Sequence, residues 1–435
     1  MACAPYSLSI TELKTAVESG TRKLLDGGSL RYCPPSAGGW GIIRVGLLVP
    51  ESIMLFVSPA GCGRHGAIAG LQLGFRQRLF FLYVDEVDLV TGRHLERAKE
   101  AVEEILASIS RPRAIMICAT CIDDLLVSDY EKLAEEVEND YRIPVRACHM
   151  NPIAMDGKKP PQLTIQKAIH EFIPAVKQKE QAINMLGSFA AINRGSEFYE
   201  LMAGAGVSPV RHIAACSTFD DLCSMGRSFY NVLIKPGGKL AAEYMAKVLN
   251  IPYCYAPVSY GLEAIAASYR KLEEQLGISL DTAAYYEKTE KAINYYRKIL
   301  GSISIAVGEN INACPFELAR ALLSYGFEVP YIFTDQVLDI DRENINWLAE
   351  RRPHIKVFTN AHPSMANFLD EKLKVDLAIG FDAGYFCSGA KTAALSMDCQ
   401  AYGFEAANSL LKEMTLAMNN PHSHREQMYA AGLVL

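Results

Sequence analysis

The chain has 435 residues, half of them hydrophobic and 21% charged, with a formal net charge of -6. That length points to two or three domains with sizeable cores, and the acidic balance argues against nucleic acid as a partner. No apolar run reaches the roughly 18 residues of a membrane span, and MACAPYSLSITEL lacks the pattern of a signal peptide, so a cytoplasmic enzyme is the expected class.

Short apolar runs alternate with helix-period segments along almost the whole chain. In the first part SIMLFV, RLFFLYV, RAIMICA and PVRAC read as strands, with HLERAKEAVEEILASIS and DYEKLAEEVENDY as amphipathic helices between or after them. After the polar stretch MDGKKPPQLT the pattern restarts with INMLG, EFYELMAGAG, VRHIAAC, NVLIK, KLAAEYMAKVLN and PYCYAPV. AYYEKTEKAINYYRKILGS reads as an amphipathic helix packing between domains. A last restart runs through SISIAVG, ELARALLSYG, VPYIFT, IKVFT and DLAIGF. Continuous apolar strands alternating with helices predict parallel sheets covered on both faces. The expected fold is α/β, three doubly wound Rossmann-like domains over residues 1–178, 179–280 and 281–435.

Such sheets gather ligands at the carboxyl ends of their strands. Of the twelve cysteines, Cys62 lies just beyond SIMLFV and Cys121 just beyond RAIMICA, while Cys33 precedes a glycine-rich stretch in RYCPPSAGGWG. All three are expected in loops. Gly61 and Gly63 would let something bulky approach the backbone, and Asp123 would cap the helix after Cys121. Cys118 and Cys121 form a CxxC, the spacing of a thiol redox pair, but Cys118 lies inside the apolar strand and is expected to point into the sheet. A four-cysteine zinc site would want a second close pair, and none exists. From spacing alone the choice stays open between cluster ligands and buried structural thiols.

SPAGCGRHGA, residues 58–67, resembles the second cysteine motif of the nitrogenase component 1 family. ICATCIDDLLVSDYEKL is similar to the third, and RYCPPSAGGWG supplies the first cysteine. VDEVDLVTGRHLERAKEAVEEI, AINMLGSF and YGFEAANSLLKEMTLAMNNP resemble further segments of the family, so the likeness spans nearly the whole chain. It implies that Cys33, Cys62 and Cys121 are thiolate ligands of an iron–sulfur cluster at a subunit interface, with Gly61, Gly63 and Arg64 beside it. The cluster would be of the [8Fe-7S] P-cluster type or a [4Fe-4S] cluster, shared with a partner subunit.

The likeness also has gaps. Nitrogenase's catalytic subunit anchors its iron–molybdenum cofactor through a second-domain cysteine and a late histidine. The matching stretches here, FYNVLIKPGGKLAAEYMAK and LSMDCQAYGF, carry Lys235-Pro236 and Cys399 instead, and Cys223 falls at a different point. The resemblance therefore implies a nitrogenase-like reductase subunit, β-type, paired with an α-type subunit in a heterotetramer or with itself. Methylthio-alkane reductase, which cleaves carbon–sulfur bonds, is one such arrangement; a tetrapyrrole reductase or a non-catalytic scaffold for metallocluster assembly are the alternatives. The chain has no GxxxxGK[ST] loop, so ATP would be hydrolysed by a separate iron–sulfur reductase that docks and delivers electrons. Cys387 and Cys399 could line a cavity, and His362 could touch a ligand. Cys216, Cys223 and Cys254 read as core thiols, and His422 and His424 as a solvated loop.

Overall fold

A computed structural model describes residues 6–21, 24, 30–36, 41–151, 160–368, 373–396 and 400–430. Three sheets carry the fold, and each arises from one of the three strand–helix runs. The first contains β2 (Ser52–Ser58), β3 (Leu79–Tyr83), β4 (Ala114–Thr120) and β5 (Val145–Met150), in the order β3-β2-β4-β5, and an N-terminal strand β1 (Ser7–Ser9) belongs elsewhere. The second contains β6 (Glu180–Leu186), β7 (Val210–His212), β8 (Ser228–Leu233) and β9 (Tyr253–Tyr255), ordered β7-β6-β8-β9. The third contains β10 (Ser304–Val307), β11 (Glu328–Phe333), β12 (Lys356–Phe358), β13 (Leu377–Ile379) and β14 (Lys391–Ala393), and it takes in β1, giving the order β1-β12-β11-β10-β13-β14.

Every pairing between these strands is parallel except β1 with β12. The reason is legible in β2 and β4, which are buried at all seven positions: both faces are covered by helices, so no polar alternation survives. One face of the first sheet packs on the helices His94–Ser108 and Tyr130–Tyr141 through Val57, Val102, Ile117 and Val137. The other face joins a core that includes the helix Pro161–His170 and reaches side chains of the second sheet.

The chain divides into two compact units. One comprises Trp40–Ala191 and Gly206–Pro257 and holds the first two sheets. The other comprises Met1–Gly39, Ile192–Ala205 and Val258–Leu435 and holds the third. The N-terminal segment thus lies with the third sheet instead of the first, because β1 pairs with an edge strand some 350 residues away in sequence, Ser7 opposite Phe358. The Tyr-rich helix Ala283–Leu300 packs along Phe404–Met418 of the same unit, where Asn408 Nδ2 donates to Thr289 Oγ1 at 3.1 Å.

Candidate functional site

β2 and β4 are parallel neighbours at the centre of the first sheet and end on the same edge. The chain leaves each of them into a helix. Past β2, extended Pro59 precedes the helix Ala60–Gln72, and Cys62 is the third residue of that helix. Past β4, Thr120 precedes the short helix Cys121–Leu125, which Cys121 opens. Cys62 and Cys121 therefore occupy first helical turns instead of loops. Proline, with its fixed φ and no N–H to satisfy, starts one helix; a capping box starts the other. Both sulfurs are half-buried, whereas Cys33 is exposed in coil within the other unit.

Glycine serves two purposes in the Cys62 helix. Gly63, Gly66 and Gly70, spaced three and four apart, form its sheet-facing stripe. A Cβ at Gly63 would come within 2.6 Å of the Tyr83 ring, one at Gly66 within 3.0 Å of Ile43, and one at Gly70 within 2.7 Å of Leu79. Gly61 instead faces open space. The approach of something bulky, expected at both Gly61 and Gly63, is thus available at Gly61, while Gly63 is filled by the protein's own packing. Arg64 is exposed on the same turn.

A buried carboxylate fixes the Cys121 turn from within. Asp123 Oδ2 accepts the Thr120 amide at 3.0 Å and the Thr120 hydroxyl at 3.2 Å, and Tyr130 OH donates to Oδ1 at 2.9 Å. Thr120 is the cap, and Asp123, expected in that role, is its reciprocal partner three residues on. On the other side of the turn, His149 at the end of β5 lies 2.6 Å from Asp124 Oδ1 through Nδ1 and 3.1 Å from Glu131 Oε1 through Nε2. Glu131 and then Asp124 hold the imidazole charged, its pKa pushed up to about 9 against the cost of burial. Asn151 Nδ2 donates to the second Asp124 oxygen at 2.6 Å.

Cys118 is turned away from all this. It is fully buried in β4 opposite Cys148 of β5, and its hydrogen bond with Cys148, with burial, holds the thiol well above its ordinary pKa. The two cysteines of CATC so differ in surroundings that they do not form a poised dithiol. Near the strand ends several large apolar side chains, Tyr83, Val87, Val90, Leu125, Leu126 and Val127, are exposed, interleaved with the exposed acids Asp85, Glu86 and Asp129. Val127, 86% exposed, has a φ of 55°, a left-handed conformation that costs an L-residue about 1–2 kcal/mol.

Residues 38–418 match the family profile of nitrogenase component 1 type oxidoreductases. The chain belongs to that family. Among its relatives, the nitrogenase iron-molybdenum cofactor biosynthesis protein NifE of Clostridium pasteurianum is 23% identical over 60% of this chain, an alignment spanning 59% of that relative's length. The nitrogenase iron-iron protein beta chain of Rhodobacter capsulatus is 21% identical over 68% of this chain and 70% of its own. The fold of nitrogenase Cp1 solved at pH 6.5 superposes with a TM-score of 0.73 at 16% identity, covering 93% of this chain and 96% of that one. Among the described residues no helix is long and apolar enough to cross a membrane.

The remaining candidates of this component 1 chain are spread through both units. Cys387 is buried among aromatic residues, its thiol pushed up to about 12 by burial and by Asp382. Cys399 lies outside the described residues. Cys254 is buried, and Cys216 and Cys223 are half-buried at the margin of the core. His362 stacks on Tyr6 at 5.1 Å and accepts the Ser364 amide, an end-capping role. His422 is exposed, but His424 is packed rather than solvated: it opens the helix His424–Ala430, bonds Thr392 Oγ1 at 3.0 Å, and burial lowers its pKa to about 4. In the second sheet, β8 runs into the turn Pro236–Gly238 after Lys235. Among the described residues, no three His, Cys, Asp or Glu side chains are placed to hold a metal ion without help. Sequence reasoning missed His149, Tyr130 and the apolar surface. Only the glycine stripe left a signal, its spacing of three and four in GRHGAIAG.

Proposed function

We propose that the chain is one subunit of a nitrogenase-like, ATP-dependent reductase component 1. In this reading Cys33, Cys62 and Cys121 supply its share of the ligands to an iron–sulfur cluster that bridges to a partner subunit, of the [8Fe-7S] P-cluster or the [4Fe-4S] type. The observation that carries the reading is the placement of two half-buried thiols in the first turns beyond adjacent parallel strands, on an edge with exposed apolar side chains. Ligands gather at such edges, thiolates are the ligands of iron–sulfur clusters, and the open space at Gly61 leaves room for bulk. When bound, the cluster supplies a store for single electrons.

The chain's own residues do the rest. Thr120, Asp123 and Tyr130 set the direction in which Cys121 leaves the strand, and the glycine stripe sets the height of Cys62 above the sheet. The apolar surface gives an α-type partner, or a second copy, something to cover and keeps water from the shared centre. Arg64 stands beside the cluster. A separate iron–sulfur reductase hydrolyses ATP and delivers electrons, which pass to a substrate site for a reduction such as carbon–sulfur cleavage.

A scaffold for metallocluster assembly is the second reading, favoured by the NifE relatives. Anaerobic purification with the partner, followed by iron and sulfide analysis and electron paramagnetic resonance, tests the main proposal. Absence of iron and sulfide would end it. A scaffold gives its cluster up to an apo-enzyme, whereas a reductase subunit retains it through ATP-dependent electron flow.

A further inference from the structure

Among the described residues, the carboxyl edge of the third sheet is crossed by a row of carboxylates. Asp382, beyond β13, accepts the amide of Glu309 at 2.7 Å. Glu309, beyond β10, accepts the amide of Asp335 at 2.9 Å. Asp335, beyond β11, accepts the amide of Ala361 at 3.0 Å, and Ala361 lies just past β12. Each acid ties the turn after its own strand to the turn after the next, and the series runs in the spatial order β13-β10-β11-β12. Asn360 Nδ2 adds a bond to Asp382 at 3.2 Å. Asp382 is wholly buried, and the turns are built around it: a Cβ at Gly308 or Gly380 would strike its Oδ1, and Gly380 has a φ of 98° that only glycine adopts freely.

The row ends on the segment that carries Cys33. Ala361, whose amide is taken by Asp335, offers its carbonyl to the Tyr32 amide at 2.8 Å. Asn310, whose amide lies 3.4 Å from Asp382, donates Nδ2 to the Ser36 carbonyl at 3.1 Å. The thiol is therefore bracketed, one residue before it and three after, by two residues that the carboxylates hold. Tyr32 OH, 3.0 Å from Tyr385 OH, adds a third tie. Pro34 and Pro35 stiffen the span between the brackets and bring no amide of their own.

We propose that Glu309, Asp335 and Asp382 are positioning residues for Cys33, fixing through Ala361 and Asn310 the backbone on both sides of the thiol. The proposal rests on the reading of Cys33 as a cluster ligand, and it gives the row a purpose beyond stability. Three carboxylates so close are costly unless charge is removed. Burial, then Asp335, then Asp382 push Glu309 up to about 8. The other groups facing the row are Thr334 on Glu309, Arg31 of the Cys33 segment on Asp335, and the Cys387 thiol near Asp382. Because the folded pKa of Glu309 is raised, its contribution is complete below the ordinary carboxylate range and is lost as pH rises through about 8.

Amide hydrogen exchange of the full chain, read by mass spectrometry over residues 30–36 and over β2 as a control, tests this without any cluster present. Asn310→Ala, which leaves all three acids in place, is expected to speed exchange in 30–36 about tenfold with β2 unchanged, the loss of one bracketing bond. Asp335→Ala is expected to do the same. In the wild type, protection of 30–36 corrected for intrinsic exchange falls between about pH 5 and 8, and Glu309→Gln abolishes that fall. Unchanged exchange in Asn310→Ala, or equal falls with pH in wild type and Glu309→Gln, overturns the proposal even if Asp335→Ala proves too unstable to study. Iron content separates the two levels of the argument. If Cys33→Ala keeps full iron, the ligand reading fails; if Cys33→Ala loses iron but Asn310→Ala keeps both exchange and iron, the positioning role alone fails.

Discussion

Two edges of the same kind, the carboxyl ends of parallel strands, have been put to opposite uses in this molecule. The first sheet ends in two first-turn thiols with exposed apolar side chains near them. The third ends in a row of carboxylates, Asp382 buried and Glu309 and Asp335 half-buried, tied by hydrogen bonds to its own N-terminal segment. A parallel sheet dictates only where a crevice will lie. Whether that crevice is left for a partner or closed by the chain depends on the few residues immediately past each strand. Glycine and cysteine leave it open; acids that catch the next turn's amide close it.

That contrast can be broken or sharpened experimentally. The largest effect is expected from Cys62→Ala and Cys121→Ala, each of which should lower the iron content of the anaerobic partner complex by half or more while far-ultraviolet circular dichroism stays unchanged, because neither sulfur is a core group. Asp123→Ala comes next. It strips a buried amide, a hydroxyl and the Tyr130 hydroxyl of their acceptor, and should cost about 2–4 kcal/mol in urea unfolding. Gly63→Ala must push against Tyr83 and Ser58 and should cost about 1–3 kcal/mol by the same measurement.

A smaller effect attaches to His149, whose folded pKa is raised to about 9. Its stabilisation is complete below its unfolded value and is lost as pH rises through about 9. The advantage of wild type over His149→Gln should shrink from about 1–2 kcal/mol at pH 6 to near zero above pH 10 once solvent screening is allowed for. The smallest is Val127→Gly. Releasing the left-handed strain at an exposed valine should stabilise the isolated chain by about 0.5 kcal/mol, and it should weaken association with the partner if that apolar surface is covered in the complex.

Much of the scaffold was legible because burial on both faces writes itself as unbroken apolar runs. SIMLFV and RAIMICA became β2 and β4 within a residue or two. The positions of Cys62 and Cys121 just past those strands were legible from the same runs. That they begin helices was harder to see: a Gly-rich stretch has poor intrinsic helix propensity, and Gly63, Gly66 and Gly70 are helical here because the sheet fits their bare face. The placement of β1 was invisible, since three residues carry no periodicity and the partner lies at the other end of the chain. The same holds for His149 between Asp124 and Glu131, and for Glu309, Asp335 and Asp382. Each is an ordinary polar residue in its own neighbourhood and acquires meaning only from a turn that the fold brings to it.

The antiparallel pairing of Ser7–Ser9 with Lys356–Phe358, and the brackets at Asn310 and Ala361, have a consequence for biosynthesis. Cys33 leaves the ribosome well before Asn310 and Ala361, the residues that hold the backbone on either side of it. A nascent chain, folding from its N-terminus as domains generally do, would complete the sheet that carries Cys62 and Cys121 while Cys33 still trails unanchored. If the three sulfurs share a cluster as proposed, its assembly would have to wait until Asn310 and Ala361 have emerged and folded.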